Sequence, residues 1–337
     1  MGEASSIDAS QRAKPVASQG DWLLHNRADY RQIGIIAVHW LIVGTLFFNP
    51  WGWREQAPVA LVLLGFLAAC YFAFLNTVVI HNHVHKGIFR SNALNRWFRC
   101  ILSFGVLYPA SANTASHNLV HHHFSDDGQP DWAAPENVSF RWNLLNLIHF
   151  PNVVGPNTFN GVSAWARTTR QRNFRSQYLL EQIFAFGLTG LLLVLDPFAA
   201  LCFVVMPQLW GARGILRINL IQHDGCDVGT DWNHSRNFVG RGFNWIMCNN
   251  GYHTIHHNRA DLHWSVLNAQ HEAQVVERID PSLEEKSMLA YLWRTYALVP
   301  WRPARRDVAA AEVDATPTDL PSVESRRAAA ESEALAS

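Results

Sequence analysis

The sequence predicts an all-α membrane protein: four transmembrane helices in two hairpins, with a cytoplasmic helical cap. Three observations predict it. Apolar residues make up 49% of the chain while charged ones make up only 16%, against about 25% charged in soluble domains. Four apolar segments approach or exceed the ~20 residues that a bilayer core demands of a helix. Histidines, 17 in all, recur just beyond those segments or in the polar stretches that follow them.

The first segment runs from about Ile33 to Phe48 and carries His39. The second, Pro58 to Ile80, is an almost uninterrupted run of 23 residues. The third, about Tyr178 to Leu195, is parted from the fourth, about Phe198 to Ile221, only by Asp196 and Pro197. A shorter apolar stretch, Trp97 to Tyr108, is expected at the interface or as a re-entrant piece. Asn49 to Ala57 makes a tight turn between the first pair. Two hairpins therefore leave both termini, residues 81–177 and everything after His223 on one side. Arg54 is the one basic residue in the two turns, so 26 of the 27 Lys and Arg lie elsewhere. The positive-inside bias makes the larger side cytoplasmic.

Residues 1–20 read as a disordered lead, 21–303 as the membrane domain and 304–337 as a disordered Ala/Glu/Ser/Arg tail. No signal peptide is expected in the polar first 30 residues. Zero net charge gives nucleic acid no electrostatic claim. Five cysteines without a C-x-x-C pair argue against an iron–sulfur or thiolate–zinc centre and against a disulfide scaffold.

The histidines fall into groups with helical spacing. At 100° per residue, His81 and His85 share a face while His83 points nearly opposite. His117 and His121 share one, with His122 displaced by 100° so that it serves a second ion or another side of the cluster. His123 points away from His121. His253, His256 and His257 share a face, and His223 stands alone after the fourth segment. His25, His39, His149, His234 and His271 read as interface anchors or hydrogen-bonded core residues. Eight or nine imidazoles on one membrane side are too many for one ion and suit two. Soluble di-iron proteins use Glu-x-x-His pairs, which this chain lacks. Imidazole is a ligand suited to iron, zinc and copper. An all-imidazole pair of irons with dioxygen as co-substrate is the option for C–H chemistry. A metal transporter or sensor is the alternative class, although such proteins place ligands within spans or flexible loops rather than at helix ends.

These residues resemble the integral-membrane fatty acid desaturase and hydroxylase superfamily, whose signature is three histidine boxes after a pair of membrane hairpins. The boxes are His81-Asn82-His83-Val84-His85, then His117-Asn118-Leu119-Val120-His121-His122, then His253-Thr254-Ile255-His256-His257. The polar continuation His123-Phe124-Ser125-Asp126-Asp127 with Pro130-Asp131-Trp132 is similar to that of desaturases, and His223 matches the family's ninth ligand. The resemblance covers about residues 30–300 and implies two irons held by His81, His85, His117, His121, His122, His223, His253, His256 and His257. It implies desaturation of a fatty acyl chain presented as lipid, CoA or carrier-protein ester. Three residues rather than two between His117 and the His121-His122 pair, and Asn219-Leu220-Ile221-Gln222-His223-Asp224-Gly225, look like the alkane and aromatic-methyl monooxygenase branch, whose reaction is hydroxylation.

The chain has no G-x-G-x-x-G after a strand and no P-loop, so electrons are expected from a ferredoxin, rubredoxin or cytochrome-type donor with its reductase. Asp126, Asp127, Asp131, Asp224 and Asp227 lie close in sequence to ligands and could orient them. An acyl tunnel is expected between the second and fourth segments, with small residues Gly65, Ala68, Ala69 and Ala73 leaving room. Trp97, Phe98, Phe104, Tyr108, Trp245, Tyr252 and Trp264 offer its walls.

Overall fold

The structure, a computed structural model, describes residues 20–123, 131–138 and 140–298. Helix α1 (Tyr30–Phe48) begins on a short turn whose Asn26 side chain accepts from the Ala28 amide at 3.0 Å. It ends at Asn49, where the backbone turns left-handed and the side chain accepts from the Arg54 amide. Asparagine tolerates that conformation better than most residues, which is why the chain reverses here. Helix α2 (Val59–His85) outlasts its apolar run by five residues, because Ile80 to Val84 remain buried and the ladder continues. His81 and His85 therefore ride on the end of the span itself.

Helix α3 (Asn92–Phe104) covers the interfacial stretch, with Ser91 accepting from the Leu94 amide as its cap. Helix α4 (Asn143–Thr168) has Pro151 and Pro156 inside it. Helices α5 (Arg172–Leu195) and α6 (Pro197–His223) form the second hairpin. Asp196 caps α6 by accepting from the Ala199 amide at 2.9 Å, and Pro197 occupies the first turn, where it costs no hydrogen bond. Short helices follow, among them α7 (Arg241–Ile246) and α8 (His253–Asn258). Residues 237–238 and 284–285 pair as two short parallel strands.

Four of these helices, α1, α2, α5 and α6, are long and apolar enough to cross a membrane. This is an all-α membrane fold. Helix α2 lies at its centre, packed on α1 and α6, while α3 packs on α5 and α4 on α6. The α2–α6 crossing is close because position 211 is glycine: a Cβ there would lie 2.5 Å from the Ala73 carbonyl oxygen. Small residues let helix backbones approach in this way. Ala69 and Ala73, both fully buried, belong to such packing.

The cap is tied to the spans by an apolar core and by buried polar bonds. Val78 and Ile221 from the ends of α2 and α6 pack with Phe238, Met247, Tyr252, Ile255 and Trp264. Each such side chain contributes about 1.5–3 kcal/mol on burial. Glu181 in α5 is fully buried and accepts from the Ser111 amide at 2.8 Å, the Ser111 hydroxyl at 2.7 Å and Gln177 Nε2 at 2.7 Å. Those bonds offset the cost of burying a carboxylate and pin the segment leading to His117 against the second hairpin.

Candidate metal centre

Four elements deliver the histidines. The end of α2 carries His81 and His85, and the end of α6 carries His223. Helix α8 carries His253, His256 and His257, and an irregular segment carries His117, His121 and His122. In that segment a wide turn over Thr114–Val120 runs into a tight one at His121–His123. The rings of His117 and His121 still stack, 5.3 Å apart.

The rings converge in two groups of four. His81, His85, His117 and His256 form one; His121, His223, His253 and His257 form the other. Within each group one nitrogen per ring lies within 4.8 Å of all the others. Metal–imidazole bonds of about 2.1 Å bring opposed ligand atoms to roughly 4.2 Å, so each group is close to the size of a ligand set. His117 and His121, expected on one face, go to different groups, and α8 straddles the gap between them. His122 belongs to neither group: its Nε2 lies 3.1 Å from His117 Nε2, and its ring stacks on His257 at 4.4 Å. It sits between the two, against His117 of one and His257 of the other.

The nitrogens suit a cation. Among the described residues the buried Nε2 atoms of His81, His85 and His256 have no hydrogen-bond partner, an expensive arrangement unless something else binds them. Nε2 of His253 lies 2.9 Å from that of His223 and 3.2 Å from that of His257. Burial, followed by the charges of neighbouring histidines, holds His117, His253, His256 and His257 well below the ordinary histidine value. Neutral imidazole is the form that binds metal.

Two outer partners orient these rings. His121 Nδ1–H donates to Asp131 Oδ2 at 2.7 Å, with both side chains 6% exposed. Burial pushes the Asp131 carboxyl up, but its contacts with His121 and the Ala133 amide more than offset that, leaving it below the usual carboxylate range. His223 Nδ1–H donates to the His234 carbonyl at 3.0 Å. Each bond commits Nδ1 as donor, so that Nε2 faces the group with its lone pair.

Of the other acids named from the sequence, Asp224 accepts from the Tyr296 hydroxyl and Asp227 from the Gly229 amide in its own loop. Asp126 and Asp127 lie outside the described residues, as does the side chain of His123. The lead, apart from Gly20, and the tail lie outside them too. His83 points away from both groups and packs against Phe98. His271 is buried with Nε2 3.0 Å from Glu284, and His39 is buried and stacked on Trp40.

A model of the fatty acid desaturase family matches residues 57–285. The chain belongs to the fatty acid desaturase family. No curated protein matches the chain. All three histidine boxes of this desaturase-family protein lie inside the matched span.

A cavity of about 430 Å³ reaches the histidines from one side, within the roughly 300–1,000 Å³ usual for small-molecule sites. His81, His117, His121 and His253 form its inner end. Its walls come from α6 (Ile215, Leu216), α4 (Pro151, Phe159, Val162) and the segment before box two (Tyr108, Ala112). Tunnel walls of α6 are as expected, and α2 contributes Val78. Tyr108 is also a wall as expected, and the following parts of the expected lining are corrected. Ala69 and Ala73 are spent on helix packing, and Gly65 faces Leu46. Phe104 stacks on Trp40. Trp264 donates to Asp29, and Trp97 and Trp245 are exposed.

Sequence reasoning missed α4. Its Asn-rich stretch, interrupted by Pro151 and Pro156, reads as a broken pattern. It also missed a chain of buried amides joining α1, box one and box three: Gln32 donates to Asp29, Asn82 to Gln32, and Asn250 to Asn82. Here Asn82 occupies the position between two ligand candidates and bonds outward, so its amide positions α2 against α1 and α8's approach.

Proposed function

We propose that this protein is an oxygen-dependent di-iron desaturase that introduces a double bond into a fatty acyl chain. The observation that carries the reading is the apolar cavity ending on four histidines. Two irons, held by the groups around His81 and His121, would supply dioxygen reduction and hydrogen removal from an unactivated C–H bond. His122 is the ninth candidate ligand. The chain's own residues orient: Asp131 and the His234 carbonyl hold the tautomers of His121 and His223. The apolar walls Val78, Ile215, Leu216 and Val162 exclude water and hold an alkyl chain against the inner end. The histidine side and both termini face the cytoplasm, where a ferredoxin, rubredoxin or cytochrome-type donor docks with its reductase.

A second reading, hydroxylation of the alkane monooxygenase type, is supported by the three-residue spacing between His117 and His121. Both reactions begin with hydrogen removal and part at the second step. Mass spectrometry of products formed with a reconstituted donor separates them. Loss of two hydrogens is expected; gain of one oxygen instead would overturn the first reading in favour of the second.

A further inference from the structure

Arg213 is a cation in a membrane-length helix, ten residues before His223. It lines the same cavity as the histidines. Charged groups in spans are costly and mark functional paths. Its Nε–H donates to Asn152 Oδ1 at 3.4 Å and its Nη1–H to the Leu209 carbonyl at 3.1 Å. Of the five N–H donors of a guanidinium, these two are engaged, and among the described residues no carboxylate pairs with it. Asn152, Pro156 and Phe159 beside it are exposed, so this end of the cavity opens outward while the histidines close the other. At 1.5 Å per residue, Arg213 and His223 are about 15 Å apart along α6.

We propose that Arg213, with Asn152 beside it, binds the anionic end of the substrate, a carboxylate or phosphate, at the cavity mouth and sets how far along the chain the histidines act. The inference rests on the acyl reading of the cavity and narrows it, because a neutral hydrocarbon has nothing for this guanidinium to hold. A planar fork of donors matches either anion. Arg217, one turn nearer the histidines, stacks on Trp210 and does not line the cavity, so it serves as the control for bulk charge.

The test is direct binding to the full-length protein in nanodiscs of phosphatidylcholine, with tritiated palmitate as probe and lysophosphatidate, methyl palmitate and hexadecane as competitors. Palmitate and lysophosphatidate are expected to bind at least tenfold more tightly than the methyl ester or the alkane. Arg213→Gln should remove that preference, Arg213→Lys should keep part of it, and Arg217→Gln should leave it within about threefold. Equal binding of palmitate and methyl palmitate by the parent protein would overturn the proposal. So would an equal loss in Arg217→Gln, or unchanged palmitate binding in Arg213→Gln with only phosphatidylglycerol retention altered, which would turn the guanidinium towards bilayer lipid. Arg213-dependent palmitate binding without any desaturated or hydroxylated product would sink the proposed reaction and leave this site standing.

Discussion

Replacing Asp131 by alanine removes the acceptor of a 2.7 Å bond from His121 Nδ1–H while both groups are almost sealed from water. The donor left behind is buried, so water restores little of the lost bond. Hydrogen bonds involving a charged partner are worth about 1.5–3 kcal/mol net. At about 1.4 kcal/mol per decade that is a factor of roughly 10–100, and outer partners of metal ligands cost about as much on removal. Iron retention in the group containing His121 should fall by that factor in Asp131→Ala. Asp131→Asn keeps a neutral acceptor, and neutral bonds are about half as strong, so its loss should be roughly 3–10-fold. The assay is iron per chain by elemental analysis during dialysis against graded chelator. Thermal melting in parallel measures damage to the Asp131 loop, which also holds the Ala133 amide at 2.9 Å. Retention within twofold of the parent in Asp131→Ala would refute the argument that this carboxylate orients a ligand.

Three further predictions concern the groups, the cavity and the α2–α6 crossing. Alanine at any of His81, His85, His117, His121, His223, His253, His256 or His257 should lower bound iron and abolish turnover, whereas His83→Ala, whose ring faces Phe98, should keep most of the iron. Zinc as sole metal in protein from iron-replete cells would defeat the oxygen chemistry. Ala112→Phe narrows the cavity wall and should shorten the accepted acyl chain with iron content unchanged. Gly211→Ala forces a Cβ towards the Ala73 carbonyl and should cost about 1–3 kcal/mol by overpacking, seen as a lower melting temperature with the same product chain lengths. The same products from Ala112→Phe as from the parent would place the acyl chain elsewhere.

The four spans were legible in the sequence because a membrane helix is a local property: about twenty apolar residues and a turn at Asn49 or Asp196 suffice. The histidine boxes were legible for a related reason, since i, i+3 and i+4 spacing on a helix states which side chains can meet. His81 with His85 obeyed it, for both ride on regular α2. His117 with His121 obeyed it as well, their rings stacking 5.3 Å apart across the wide turn over Thr114–Val120, but the spacing did not say that the two would face different groups. Which histidine joins which group depends on where α2, α6 and α8 meet, and that is set by contacts between residues as distant in sequence as Asn82 and Asn250. The same holds for Asp131 among five candidate acids. Composition placed them all near ligands, while only packing put one carboxylate 2.7 Å from a ring nitrogen. The cavity is the plainest case. Small residues on α2 are equally suited to holding a substrate or a neighbouring helix, and Gly211 on α6 took that space. Room for a chain was left instead beside α4, whose prolines disguise it in sequence and whose position follows from packing on α6. A hydrophobic run carries its own reason for being a helix, but an empty space belongs to several elements at once and exists only after they have packed.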